Sequence, residues 1–142
     1  MALDDPLRVV IDTNVLFKRL TKQGGAAGYV VEGWLAGLLA VHVSDALAYE
    51  YVDVLSRTLS EKRWQEFQPV VGRLLSQAQF VTVYFSWRPI SADEGDDKVI
   101  DCAMNAGAVV ITANVRHFQT ATESLGLEVI TPLALVLRLA GE

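Results

Sequence analysis

Three acids sit where the surrounding residue pattern makes a carboxylate expensive. Asp12 closes the strand-like run Arg8-Val9-Val10-Ile11 and is followed by Thr13 and Asn14, a small polar pair that opens a helix. Glu50 lies within "DALAYEYVDVL" (45–55), where a helical wheel puts Leu47, Tyr51, Val54 and Leu55 on the buried face. Glu50 falls at the edge of that face and Asp53 further toward solvent. Asp96 lies within "DEGDDKVIDCAMNAG" (93–107), close to the middle of an apolar face made by Val99, Ile100, Ala103, Met104 and Gly107. Asp97 falls at the edge of that face and Asp101 away from it. An inward-facing carboxylate is unfavourable unless it is paired or bound to a cation. Asp93, Glu94, Asp96 and Asp97 also crowd into five positions, and a divalent ion would relieve their repulsion. Simpler roles remain open for each. Asp12 can cap the helix it precedes, and Glu50 can reach water or a basic neighbour. Asp96 can be the N3 acid behind an Asp93 cap, favoured by the helix dipole.

The elements that must position these acids alternate in type. Leu7 to Ile11 reads as a strand covered on both faces. Thr13 to Lys22 reads as a helix broken at Gly24-Gly25, and Ala26 to Leu39 as a second helix. Val41 to Val43 is a short strand, after which Ser44 or Asp45 caps a helix to about Leu59. Glu61 to Gln77 is helical with an interruption or bend near Pro69. Phe80 to Phe85 is a strand, and Asp93 caps a helix lasting to about Ala106, ended by Gly107. Ala108 to Thr112 and Val129-Ile130 are strands, and Pro132 starts a closing helix. Strands alternating with helices predict an α/β fold with a parallel sheet. In such sheets ligands bind beyond the carboxyl ends of the strands. Asp12, Ser44-Asp45, Thr112 and Asn114 all fall at that rim, and Thr112 and Asn114 supply neutral oxygens suited to supporting hydrogen bonds.

Bulk properties narrow the function classes. With 142 residues the chain suits a single domain with a real core. A net charge of -5 argues against a simple electrostatic nucleic-acid binder. No apolar run reaches the length of a membrane span, no signal-like segment opens the chain, and the lone Cys102 cannot form an internal disulfide. A cytoplasmic location is therefore expected. One cysteine and two separated histidines give no zinc spacing and no Cys/His pair, and no Ser/His/Asp set is visible, so covalent catalysis is not expected.

Taken together, "VVIDTNVLF", "SDALAYEYVDVLSR" and "DEGDDKVIDCAMNAGAVVITANVRHF" resemble a PIN domain, most similar to the bacterial toxin-component branch that is VapC-like in organisation. The likeness runs from about Arg8 to Leu133, with the motifs in the family's order. It implies one PIN-like domain over 1–142, with a three-layer α/β/α fold around a central parallel sheet of four to five strands. By resemblance, Asp12, Glu50 and Asp96 match the site acids, and Asp93 matches an acid placed just before the last of them. Thr13, Asn14, Ser44 and Thr112 match supporting polar residues. Asn114 stands where many PIN domains carry a fourth acid, which lowers the site's negative charge by one and weakens the hold on a second metal.

The implied chemistry is hydrolysis of phosphodiester bonds in single-stranded RNA with Mg²⁺ or Mn²⁺. Hard cations prefer carboxylate and water oxygens and can both activate water and stabilise the leaving oxygen. Asp12 and Asp96 are expected as the most direct ligands, with Glu50 acting through water. Lys18, Arg19 and Arg116 are candidate phosphate contacts; Lys22 lies beside the first two, and Arg57, Lys62 and Arg63 form another basic group. His117 is expected to pack locally with Phe118 as anchor. The resemblance further implies a small antitoxin protein as partner and a homodimer; Trp34, Trp64 and Trp87 are assigned mainly to core packing. A PIN-like module that binds RNA or protein but cuts poorly is the alternative reading. A signalling receiver domain is disfavoured, because Asp4-Asp5 precedes the first strand and no Asp and Lys close a third and fifth strand.

Overall fold

The computed structural model describes residues 5–21, 25–86 and 94–141, with the side chains of residues 21, 94 and 95 excepted. Five strands, β1 (Leu7–Ile11), β2 (Leu39–Val43), β3 (Gln79–Phe80), β4 (Val109–Ile111) and β5 (Val129–Ile130), form one parallel sheet in the order β3-β2-β1-β4-β5. β1 is the middle strand. Val9, Val10 and Ile11 are fully buried because the sheet continues on both sides and helices cover both faces. The helices are α1 (Thr13–Thr21), α2 (Gly25–Leu35), α3 (Asp45–Thr58), α4 (Glu61–Gln77), α5 (Glu94–Ala106), α6 (Gln119–Leu125) and α7 (Pro132–Leu139). α5 lies against β1, β2 and β4, while α2 packs on β2 and gathers α1, α4 and α7. α3 touches α1, α4 and α5. This is the expected three-layer α/β/α arrangement, at the five-strand end of the expected range.

From β1 the chain first builds outward to β2 and β3, then returns past β1 to lay down β4 and β5. The reversal leaves a switch point between the carboxyl ends of β1 and β4, the place where open α/β sheets present a crevice. The backbone N–H of Asp12 donates to the Ile111 carbonyl at 2.9 Å, which joins the two strand ends there.

Local departures from expectation have local causes. α2 stops at Leu35 rather than Leu39. Gly37 takes a φ of 77°, with Leu38 N donating to Gly33 O (2.9 Å) and Gly37 N to Trp34 O (3.1 Å), the paired bonds of a Schellman closure. Leu38 is thereby left exposed, and Leu39 begins β2. α4 runs on through Pro69; Pro69 and Gln65, whose carbonyl loses its helical partner, are both exposed, and downstream Val71 and Leu74 are buried in the core. β3 is two residues long instead of the expected Phe80 to Phe85. It is an edge strand with β2 as sole neighbour, and β2 gives way to α3 after Val43, so nothing remains to pair with. The chain beyond is held instead by Asn105, whose Oδ1 accepts from Tyr84 N and Phe85 N and whose Nδ2 donates to Phe85 O. α6, not expected from sequence, follows a 3-10 turn over Val115–Phe118 and closes on Gly126 at φ 70°.

The core is aliphatic with three large aromatic anchors, Trp34, Tyr51 and Phe118, all essentially solvent-free. Trp34 meets Tyr51 edge-on at 6.3 Å between ring centroids. Trp64 packs partly buried against this core, and Trp87 lies outside the described residues. Among the described residues no helix is long and apolar enough to cross a membrane.

Candidate active site

Asp12, Glu50 and Asp96 share one cleft of about 390 Å³ at the switch point, with Thr13, Asn14, Val54, Arg57, Asn114 and His117 completing its wall. Each acid arrives from a different element: the end of β1, the middle of α3 and the first turns of α5. Asp12 and Asp96 are each 8% exposed, so both carboxylates are largely out of bulk water.

Asp12 is fixed from behind by a polar knot. Thr112 Oγ1 donates to Asp12 Oδ2 at 2.7 Å, and the same oxygen accepts from Asn14 Nδ2 (3.2 Å) and Asn114 N (3.1 Å). Asn14 Oδ1 accepts from Ala113 N at 3.2 Å. The backbone of Asp12 also begins α1, its carbonyl accepting from Val15 N at 3.0 Å. Beneath it, the buried Tyr51 hydroxyl donates to the Ile11 carbonyl at 2.5 Å. Burial holds the Tyr51 phenol well above its ordinary pKa, with Cys102 and then Asp12 adding to the effect, so it stays a donor.

The other two acids have basic neighbours. Glu50 Oε1 takes Lys98 Nζ at 3.3 Å, from α5. Asp96 Oδ2 lies 3.7 Å from His117 Nδ1. Arg57, also at the cleft, is bonded to Asp53 Oδ2 at 3.0 Å, and that bond raises its pKa. Among the described residues, no three His, Cys, Asp or Glu side chains close around a common point as ligands of one ion would. The donor set nevertheless suits a hard cation: carboxylates with neutral amide and hydroxyl oxygens, in a cleft open enough for the ion to keep several waters. No soft sulfur enters it. Burial pushes the Cys102 thiol up to about 12, opposed by hydrogen bonds with Ser44, so the single cysteine is no nucleophile.

The remaining expected site residues divide clearly. Thr13, Asn14 and Asn114 line the cleft, and Thr112 is fully buried just behind it. Ser44 does not line it; its Oγ caps α3 by accepting from Leu47 N at 3.1 Å, and it borders a separate hollow with Phe80 and Val81. Lys18 lines another hollow beside Pro132 and Leu133, and Arg19 pairs with Glu32 at 3.5 Å beside α4. Arg116 is exposed and outside the cleft wall. Lys22 and Asp93 lie outside the described residues. The basic residues at the cleft are instead Arg57 and His117, with Lys98 behind Glu50. His117 does follow the anchored-turn expectation in one respect, since the adjacent Phe118 is fully buried. Asp101, expected to face away from the core, is buried, as is Asp97. The signal for Arg57 was seven-residue spacing from Glu50, two helical turns along one face of α3. For Lys98 the sequence held no comparable signal.

A family profile described as PIN domain matches residues 8–116. A sequence search of curated proteins finds no match. Among solved structures the chain is similar to VapBC2 from Rickettsia felis bound to a DNA fragment from its promoter. Identity is 15%, TM-score 0.63, with 88% of this chain and 98% of that one covered. It is also similar to VapBC-1 from nontypeable Haemophilus influenzae, at 14% identity and TM-score 0.58 over 89% of this chain and 99% of that one. FitAB bound to the IR36 DNA fragment matches at 16% identity and TM-score 0.57, covering 87% and 94%. At these identities the likeness establishes the fold.

Proposed function

This chain belongs to the PIN domain family, and from that membership and the cleft we propose that it is a metal-dependent endoribonuclease cutting single-stranded RNA, the toxin of a toxin–antitoxin pair. One observation carries the reading: Asp12, Glu50 and Asp96, far apart in the chain, line one cleft at the switch point of the sheet. Asp12 and Asp96, the two most buried of the three, would hold Mg²⁺ or Mn²⁺, with Asp93 a further candidate ligand outside the described residues. Such an ion supplies an activated water and stabilises charge on the leaving oxygen.

The chain's own residues prepare the site. Thr112 orients Asp12 through its 2.7 Å bond, and Asn14 and the Asn114 backbone lock the Thr112 hydroxyl in that direction. Glu50 faces the cleft from the opposite helix and orients the attacking water. Arg57 and His117, at the cleft wall, offer donors to the phosphates flanking the cut. The cleft is itself acidic, with Asp12, Glu50 and Asp96 against Arg57, so a bound divalent ion would have to offset these carboxylates before a phosphate approaches. The pairing of toxin-like chains with a second protein in the VapBC and FitAB structures supports a small antitoxin as partner. A homodimer and a cytoplasmic location complete the proposal. The alternative, a weakly cutting PIN-like binding module, draws on Asn114 replacing a fourth acid.

Cleavage of varied single-stranded RNAs with Mg²⁺ or Mn²⁺, comparing wild type with Asp12→Asn, tests this. Wild type should cut, EDTA should stop it, and Asp12→Asn should lose about 10³-fold, equivalent to ~4 kcal/mol of transition-state stabilisation. Equal rates for the two proteins, or no metal-dependent cutting at all, would overturn the nuclease reading.

A further inference from the structure

The ammonium behind Glu50 bears on how many cations the cleft takes. Lys98 sits two residues after Asp96 on α5, and α5 packs directly against α3, which carries Glu50. The helix that presents one acid to the cleft therefore also delivers a cation to the other. The Lys98–Glu50 pair is mostly withdrawn from water, with side-chain exposures of 30% and 15%, so salt screens it less than a surface pair. At 3.3 Å from Oε1, Nζ occupies one of the two oxygens through which Glu50 would bind an ion. Any divalent cation drawn onto that carboxylate would also approach a fixed positive charge. A further fact points the same way. Asn114, on the same wall, offers a neutral oxygen.

We propose that Lys98 is a positioning residue that holds Glu50 out of direct metal coordination, taking the place of a second divalent ion, so that the cleft binds one. The inference rests on the nuclease reading and specifies its site. Lys98 touches no reacting atom; it acts through Glu50, leaving that carboxylate facing the cleft and able to order water. The fold achieves this with an intramolecular cation whose concentration never varies.

Calorimetric titration of the full chain with Mn²⁺, without RNA, decides it. Wild type should bind one Mn²⁺. Lys98→Met should either take up a second ion or bind the first about tenfold more tightly, the scale expected when a like charge a few ångströms away is removed. Lys98→Arg should behave as wild type, and adding Glu50→Gln to Lys98→Met should abolish the gain. Lys98→Gln serves equally if the Met variant is poorly folded. The inference is overturned if Lys98→Met and wild type bind Mn²⁺ with the same stoichiometry and affinity within twofold. It is also overturned if the gain persists without Glu50. Wild type that binds and cuts while Lys98→Met is unchanged removes only this inference. Wild type that binds no Mn²⁺ removes the nuclease reading and this inference together.

Discussion

Replacing His42 by leucine should stabilise the protein, and more so in mild acid. His42 lies on β2 inside the sheet, 3% exposed, and neither ring nitrogen has a hydrogen-bond partner among the described residues. Each buried, unpaired polar group costs on the order of 1–3 kcal/mol, and leucine fills a similar volume without polar atoms. A gain of roughly 1–2 kcal/mol at pH 7.5 follows, the lower part of that range because only one nitrogen carries a proton. The pH dependence has a definite sign. Burial, and then the positive charge of Arg8, lower the His42 pKa below its usual 6.5. Below pH 6.5 the unfolded chain therefore binds a proton that the folded chain refuses. Stability from this group is complete above 6.5 and is lost as pH falls through 6.5 toward the lowered folded value. The slope cannot exceed one proton, ~1.4 kcal/mol per pH unit. Urea unfolding of wild type and His42→Leu at pH 7.5, 6.5 and 5.5 reads both effects, and the difference between the proteins isolates His42 from every other titrating group. A variant less stable than wild type at pH 7.5, or a difference that does not widen toward pH 5.5, would refute the reasoning.

Two further substitutions separate support of the cleft from support of the fold. Thr112→Val keeps the shape of a buried residue but removes the donor to Asp12 and the acceptor for Asn14 and Asn114. Mn²⁺ affinity should fall by about 10- to 100-fold, as for other groups that orient a metal-binding carboxylate; calorimetry measures it, and unchanged affinity would remove Thr112 from the site. Ser44→Ala should cost about 1 kcal/mol in urea unfolding through loss of the α3 cap, with RNA cleavage per folded molecule unaltered. A large drop in that activity would return Ser44 to the site.

What the sequence disclosed depended on how local the cause was. β1 was legible to the residue, because a buried central strand is a continuous apolar run and Asp12 marks its end. Asp12, Glu50 and Asp96 could be placed from strand ends and helix phase, both of which are local. The end of α2 is hidden because Leu38 and Leu39 continue a helical apolar pattern; Gly37 is the stop signal, and its weight comes from a left-handed turn that periodicity does not register. The expected β3 is too long because strand propensity at Phe80 to Phe85 says nothing about whether a neighbour exists to pair with. Asp101 is expected outward because a single wheel knows one partner surface, whereas α5 is enclosed by α3 on one side and by the sheet on another. The basic residues were the least legible. Lys18, Arg19, Arg57 and Lys98 are all plausible cations in a string, and only the packing of α1 against α2 and of α3 against α5 decides which reach the cleft.

The position of β1 has a consequence for how the molecule comes apart. Hydrogen-bonded on both sides and solvent-free over Val9, Val10 and Ile11, it is the segment whose opening requires the most of the structure to be lost. The amide of Asp12, bonded to Ile111 O, should therefore exchange with solvent deuterium only as fast as the whole molecule unfolds. The short marginal strands β3 and β5 can fray far more often without disturbing it. Damage that begins at the periphery, whether by protease or by heat, reaches the Asp12 wall of the cleft last.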